Sequence, residues 1–320
     1  MSIIEVKKLS KSFKVKQKQS LLKDFFKPDY KEVNAVNDLS FSVEEGEAVA
    51  FLGPNGAGKT TTAKMLTGLL YPTSGNAQVL GYNPFEKEKE FLMDIGLVMG
   101  NKSGLNWDLS PKQNLEILKS IYNIDPVLFQ EKIDELSELL DTKSLMNTQV
   151  RKLSLGERMK FELIRSIIHS PKLLFLDEPT IGLDIISKQK IRDFLKHIQQ
   201  DYGVTLLLTS HDMADVEDVC NRVIVINHGQ KVYDNNLNEL KKQYSKTKFV
   251  RFVFDKDKPE ITDNTDVSII KKDKNSITYE VSSNKMSSFI AKVATKYNPE
   301  DIEILEIPLE KIIGDIFNKN

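Results

Sequence analysis

An α/β fold with a largely parallel central sheet is predicted by three observations. Runs of branched and apolar residues recur at Ala48 to Leu52, Leu173 to Leu176, Val204 to Leu208 and Val223 to Ile226. Helical stretches lie between several of these runs, the alternation of a sheet whose strands run parallel. The 320 residues, 40% hydrophobic and 28% charged, suffice for about two globular domains of roughly 150 residues.

The N-terminal stretch is basic. Nine lysines stand in residues 1 to 31 against Glu5, Asp24 and Asp29, a local charge of +6 in a chain whose net charge is -1. The balanced total argues against a protein that coats nucleic acid. Within the basic stretch, Lys14 to Asp29 reads as an insertion containing SLLKDFF among lysines. Two readings apply to it: a solvated loop, or a short amphipathic piece drawn to anionic headgroups. The single cysteine, Cys220, excludes an internal disulfide and a multi-cysteine metal site, and it suits a reducing compartment. No apolar run approaches the 18 or so residues of a membrane span, and MSIIEVKKLS lacks a signal-peptide pattern, so the expected location is cytoplasmic.

After the strand AVAFL comes GPNGAGKT, comprising Gly53, Pro54, Asn55, Gly56, Ala57, Gly58, Lys59 and Thr60, followed by Thr61 and the helical segment TTAKMLTGLL. Glycines at this spacing let the backbone wrap a phosphate chain with its N–H groups pointing inward, and the helix adds the positive end of its dipole. Lys59 is expected to reach the β- and γ-phosphates, and the Thr60 hydroxyl to ligate Mg²⁺. A nucleotide site follows.

From Leu109 to Thr148 the apolar residues of LSPKQNLEILKSIYNI and PVLFQEKIDELSELL recur at helical spacing with no strand signal, which predicts a helical insertion in the α/β core. The next segment, LSLGERMKFELIRSII, opens on a capping box, Ser154 with Glu157, ahead of helically spaced Met159, Leu163, Ile164 and Ile167. A serine hydroxyl, the Gly156 backbone and unpaired N–H groups at a helix start can bind an anion. LLFLDEP then sets Asp177 and Glu178 at the end of a buried strand, where Asp177 can hold Mg²⁺ and Glu178 can orient or deprotonate an attacking water.

With these motifs in order, the sequence resembles the ATP-binding cassette (ABC) family of transport ATPases over about residues 1 to 235. GPNGAGKT is similar to the family's Walker A, LSLGE to its LSGGQ signature, LLFLDE to Walker B with the catalytic glutamate, IGLD to the D-loop, and His211 in TSHD to the switch histidine. The resemblance implies an α/β P-loop NTPase of the ABC type, residues 1 to 240, with a helical subdomain over about 101 to 168. It also implies a head-to-tail dimer, of identical chains or with a paralogue, that sandwiches two ATP molecules. Each would meet the Walker elements of one subunit and Ser154, Gly156 and Glu157 of the other. His211 would contact the γ-phosphate and position the water.

The sequence departs from the family pattern at three places. Leu155 stands where the signature has glycine, Glu157 replaces glutamine, and the glutamine that links Mg²⁺ to the helical insert is not where expected; Asn101, one carbon shorter, is nearby. Trp107, the sole tryptophan, lies just beyond and belongs either to the core or to the surface that meets a membrane subunit. The aromatic residue that stacks on adenine is expected at Tyr30, five residues before Ala35, with Phe13 in LSKSF as the alternative.

After Tyr233, the polar DNNLNELKKQYSKTK predicts a short helix and a linker near residue 240, whose lysines Lys241, Lys242, Lys246 and Lys248 read as solvated. Strand-like KFVRFVFD, SITYEVS and DIEILEIP and helical SSFIAKVATKY and LEKIIGDIFN then predict a small α+β accessory domain over 241 to 320. The expected function is the ATP-hydrolysing subunit of a membrane exporter, peripheral on the cytoplasmic face of the cell membrane and partnered by an integral membrane permease, with ATP and Mg²⁺ bound and no nucleic acid. A soluble ABC ATPase acting on ribosomes or DNA is the competing reading; one phosphate loop, one cysteine and no long heptads speak against it. A catalytically dead nucleotide switch is disfavoured by the presence of both Glu178 and His211.

Overall fold

A computed structural model describes residues 1–16, 30–100, 102–244, 247–255 and 267–319. The Lys14 to Asp29 insertion beyond Lys16, Asn101 and Lys246 lie outside them. The chain divides into two compact units, Met1–Asn235 and Asn236–Asn320.

In the first unit, β1 (Ser2–Lys16) pairs antiparallel with β2 (Tyr30–Glu44), which leads into β3 (Ala48–Leu52). Helix α1 (Lys59–Leu66) follows, and β4 (Ser74–Val79) then pairs with the other side of β1. The larger sheet has the order β5-β6-β7-β3-β8-β9, with β5 (Ile95–Met99), β6 (Leu173–Asp177), β7 (Thr205–Thr209), β8 (Arg222–Asn227) and β9 (Gln230–Asn236). Its first five strands run parallel. Strands β3, β6 and β7 are buried at every residue, which explains why they read as continuous apolar runs rather than as alternating ones. The two sheets share one core, where Ile4, Leu9, Leu39 and Phe41 meet Phe51, Phe175 and Ile224.

Strand β5 was not among the expected runs, because the short helix α2 (Lys89–Asp94) precedes it and a glycine interrupts it. Gly96 is there for close packing: a Cβ would lie 2.4 Å from the Ser166 carbonyl oxygen. The helical insertion supplies α3 (Pro111–Tyr122) and α4 (Pro126–Leu139). Each starts on a side-chain cap, Ser110 or Asp125, with proline at the first helical position. Helix α5 (Leu155–Ile167) follows, then α6 (Ile185–Tyr202) between β6 and β7, and α7 (Met213–Val219) between β7 and β8.

The second unit opens with α8 (Leu237–Tyr244) and holds an antiparallel sheet of order β11-β12-β10-β13. Its strands are β10 (Thr247–Val253), β11 (Val267–Lys272), β12 (Ser276–Ser282) and β13 (Asp301–Leu305). Helices α9 (Met286–Tyr297) and α10 (Leu309–Lys319) flank β13 in sequence. The odd positions of β12 and the even positions of β10 point toward α9, where Phe252, Tyr279 and Phe289 form an edge-to-face triangle with centroids 5.2–6.0 Å apart. Strand β11 carries no alternating apolar signal, because five of the six residues of VSIIKK are exposed and the strand ends on two lysines. Phe252→Ala is expected to destabilise this unit by about 3–5 kcal/mol, measured by urea unfolding followed in near-ultraviolet circular dichroism.

Candidate functional site

Because β5, β6, β7 and β3 are parallel neighbours, the segments leaving their C-terminal ends meet on one edge of the sheet. After β3 the chain passes through Gly53 to Gly58 into α1, whose first residues are Lys59, Thr60 and Thr61. Two glycines are required for that path. Gly58 has φ +104°, and a Cβ on it would lie 2.4 Å from the Ala35 carbonyl oxygen; one on Gly53 would lie 2.5 Å from that of Ile226. The N–H groups of Gly56 and Gly58 have no partner among the described residues, so the loop can offer them to an anion at the positive end of α1.

Lys59 is only 7% exposed and donates to the carbonyls of Gly53 at 2.6 Å and Pro54 at 3.3 Å. Burial pulls its pKa below the ordinary lysine value, opposed by the charges of Glu178 and Asp177. The Thr60 hydroxyl donates to Asp177 Oδ2 at 2.9 Å and lies 3.2 Å from Oδ1. Asp177 is itself buried and accepts a second hydroxyl, Thr209 Oγ1, at 2.7 Å. Two hard oxygen ligands, a hydroxyl and a carboxylate, thus face each other at the end of the phosphate loop, the donor set that suits Mg²⁺ sharing its coordination with phosphates and water.

Glu178 sits in a left-handed conformation, φ 56°, held by its N–H donating to Thr209 O at 3.0 Å and Thr209 Oγ1 at 3.2 Å. Such a conformation is costly for a residue other than glycine and persists where the surroundings over-determine it. Its Oε2 accepts the His211 N–H at 3.1 Å, and its Oε1 lies 3.3 Å from His211 Nε2 without hydrogen-bond geometry. Burial pushes the Glu178 carboxyl above the ordinary carboxylate range; His211 and Lys59 oppose that rise and Asp177 adds to it. The structure therefore brings together Lys59, Thr60, Asp177, Glu178 and His211.

Ser154, Gly156 and Glu157 are not part of that group. Among the described residues, no hydrogen bond joins them to the phosphate loop or to Asp177 and Glu178. They form a complete capping box at the start of α5: Ser154 N donates to Glu157 Oε2 at 2.8 Å and Glu157 N to Ser154 Oγ at 3.3 Å. Gly156 abuts the cap of α6, since a Cβ would lie 2.7 Å from Ser187 Oγ, which in turn donates to Asp184 at 2.6 Å. Leu155, 40% exposed, lies against Gly182, and Ile185 and Ile186 are 85% and 83% exposed.

Two sets of residues escaped the sequence reading. Thr209 braces both Asp177 and Glu178, and its only signal was its place at the end of TLLLT, two residues before His211. Glu162, 4% exposed, is the other: its Oε1 accepts from Ser103 Oγ, Gly104 N and Leu105 N at 2.6, 2.7 and 3.2 Å, and its Oε2 from Arg165 Nε at 2.8 Å. It pins the loop after β5 to α5, and Gly100 N in turn donates to Asp177 O at 2.7 Å. Trp107, half exposed, adds a second link by lying 4.8 Å from the Arg158 guanidinium on α5.

On the β1–β2 ladder, Tyr30 is the last residue, opposite Lys16, whereas Phe13 is opposite Val33. Phe13 thus sits three residue steps, roughly 10 Å, nearer the Ala35 carbonyl that Gly58 abuts. A cavity of about 220 Å³ lined by Leu136, Ile167, Ile198 and Val204 contains none of the site residues.

Residues 36–181 match the ABC transporter family model. The chain is 35% identical over 215 residues to the ABC transporter ATP-binding protein NatA of Bacillus subtilis, covering 67% of this chain and 87% of that protein. It is 35% identical over 211 residues to the Nod factor export ATP-binding protein I of Cupriavidus pinatubonensis, covering 66% and 64%. Among solved structures, a dimeric ATP-binding cassette in a post-hydrolysis state with ADP and Pi superposes with a TM-score of 0.62 at 21% identity, over 73% of this chain and 98% of that one. The phosphate loop, its facing carboxylates and these relationships lead to one conclusion: the chain belongs to the ABC transporter family of ATP-binding proteins, and it is an ATPase.

Proposed function

We propose that this chain is the ATP-hydrolysing subunit of a membrane exporter, working as a dimer on the cytoplasmic face of the cell membrane beneath an integral membrane permease. The observation that carries the reading is the convergence of Lys59, the Thr60–Asp177 pair and the Glu178–His211 pair on one sheet edge, with the Ser154 helix start standing apart from them. A relative named for Nod factor export supports the direction of transport. No described helix is long and apolar enough to cross a membrane, so the permease is a separate chain in this reading.

In the proposed mechanism the loop Gly53–Gly58 and Lys59 bind the β- and γ-phosphates of ATP, with Lys59 exchanging its two carbonyl partners for phosphate oxygens. Thr60 and Asp177 would hold Mg²⁺, which when bound neutralises charge on those phosphates. Glu178 orients the attacking water and takes its proton as the water oxygen bonds to the γ-phosphorus. The bond from that phosphorus to the β–γ bridging oxygen breaks, and ADP leaves with the electron pair. His211 holds Glu178 through its N–H and presents its ring to the γ-phosphate. Ser154, Gly156 and Glu157 serve the nucleotide of the partner copy in a head-to-tail dimer, and the exposed Leu155, Ile185 and Ile186 are covered there. Adenine stacks on Phe13 in preference to Tyr30, given the shorter reach along the ladder.

Glu178→Gln is expected to slow single-turnover ATP hydrolysis by about 10²-fold or more and, with ATP, to elute as a dimer in size-exclusion chromatography. A variant that turns over at the wild-type rate would sink the assignment, and a monomer at saturating ATP would sink the dimer. The transporter reading is checked by purifying the tagged chain from detergent-solubilised membranes of its own host: an integral membrane protein should accompany it in stoichiometric amount, and ribosomes alone would refute it. Base stacking is worth about 1 kcal/mol or more, so Phe13→Ala should raise the KM for ATP roughly fivefold, while Tyr30→Ala leaves it within about twofold.

The pH dependence follows from the raised pKa of Glu178. A base must be ionised to act, so turnover should rise with pH through a limb lying above 4.5, the ordinary glutamate value, and Glu178→Gln should remove that limb. The folded-state pKa exceeds the unfolded one, so the stability this group contributes is fully present below the unfolded pKa and lost as pH rises through the folded value. Glu178→Gln should therefore raise the melting temperature at pH 8, with the gain shrinking toward pH 5.

A further inference from the structure

Glu178 and His211 are carried on two separate loops, one after β6 and one after β7, and the His211 ring is half exposed. What holds the loops together lies beneath them. Asp215, 1% exposed on α7, accepts three bonds. Its Oδ2 takes the hydroxyls of Thr180, two residues beyond Glu178, and of Ser210, the residue before His211, the latter at 2.6 Å. Its Oδ1 takes Arg192 Nε at 2.7 Å. Arg192, 8% exposed on α6, also donates through Nη2 at 3.1 Å to Asp212, the residue after His211. Asp212 is further bound by Lys188 at 2.8 Å, and the Ser210 hydroxyl receives the Asp212 N–H at 3.0 Å.

We infer that Asp215 and Arg192 are positioning residues for ATP hydrolysis, fixing the Glu178 loop through Thr180 and the His211 loop through Ser210 and Asp212. Neither residue belongs to the site itself. A buried carboxylate and guanidinium are an uneconomical way to add stability, because desolvation offsets much of their attraction. They are well suited to imposing one geometry, since every donor and acceptor in such a network must stay paired. Here both hydroxyls donate to one oxygen, so the two loops cannot separate without leaving a buried acceptor short of a partner. The network also ties the pair to α6, the helix whose N-cap, Asp184, lies beside Gly156 at the start of α5.

The inference rests on Glu178 and His211 being the catalytic pair, and a double-mutant cycle on the full chain separates the two claims. Asp215→Ala should lower kcat at least tenfold while KM and the stoichiometry and affinity of a fluorescent ATP analogue change less than twofold. Asp215→Asn keeps one oxygen for both hydroxyls but turns an amide NH2 toward the Arg192 Nε–H, so it should recover hydrolysis only in part, to a rate between that of Asp215→Ala and wild type. In a background carrying both Glu178→Gln and His211→Ala, Asp215→Ala should cost no further activity in single-turnover hydrolysis, because it acts through the two groups already removed. A merely structural role would instead multiply the two losses and reduce the bound stoichiometry, and either result overturns the inference. Wild-type turnover in Asp215→Ala with turnover lost in Glu178→Gln would overturn the positioning role alone; wild-type turnover in Glu178→Gln would overturn the catalytic assignment beneath it. If Asp215→Ala does not fold, Arg192→Lys, which keeps a charge but loses the two-pronged grip on Asp212 and Asp215, carries the same cycle with the same opposing outcomes.

Discussion

The Asp177 carboxylate is the point on which the nucleotide edge of the first unit depends. It stands at the end of a strand buried at every residue, where an ionised group requires partners. Those partners arrive from two other strands: Thr60 from the helix after β3 and Thr209 from the end of β7. The backbone around it is tied in the same way, with Gly100 N from the loop after β5 on its carbonyl. One acidic residue thus sets the spacing of four parallel strand ends, and the phosphate loop is held against that frame. The adjacent Lys59 and Glu178 are perturbed in opposite senses by the same burial, the lysine downward and the glutamate upward, so each sits nearer to neutrality than an exposed group of its kind.

The parts of this site were legible in the sequence to different degrees for identifiable reasons. Gly53 to Thr60, Asp177 and Glu178 carry their chemistry in local order, since a strand, a glycine loop and a helix start must be contiguous to wrap phosphate. The strands β3, β6, β7 and β8 were readable because burial on both faces leaves an unbroken apolar run. Strand β5 and the exposed β11 were not, the first broken by a glycine packed on the Ser166 carbonyl, the second too polar. Thr209, Glu162, Asp215 and Arg192 each act through at least one partner 20 or more residues away, and a lone polar residue in a helix or at a strand end has no periodicity to expose that partnership. Distances along the β1–β2 ladder show the same limit. Counting from Ala35 along one segment singles out Tyr30, whereas the pairing of the two strands sets Phe13 three residue steps nearer the Ala35 carbonyl, and register is a property of paired strands rather than of one segment.

The signature helix start illustrates how a local signal acquires meaning from topology. Ser154 and Glu157 satisfy one another as any capping box does, and nothing in their immediate geometry demands a ligand. Their surroundings are less ordinary: Gly156 has no room for a side chain beside Ser187, and an exposed leucine and two exposed isoleucines lie in the segments around them. A helix end whose own bonds are met and whose flanks are apolar is suited to a surface that a second molecule covers.

The Glu162 bonds bear on the modularity of the helical insertion. An insertion joined to its host only by its two ends could be excised or exchanged between relatives at little cost to the core. Here the loop that leads from β5 into the insertion supplies three of the four donors to a carboxylate that is 4% exposed, and the fourth comes from Arg165, which also reaches the Leu97 carbonyl of β5. Cutting the loop out would strand a charge in the interior, and transplanting a foreign insertion would do the same unless it brought matching donors to the same three positions. The loop after β5, the insertion and the helix that follows it therefore form one structural unit, and a chimera between relatives must place its junctions outside all three.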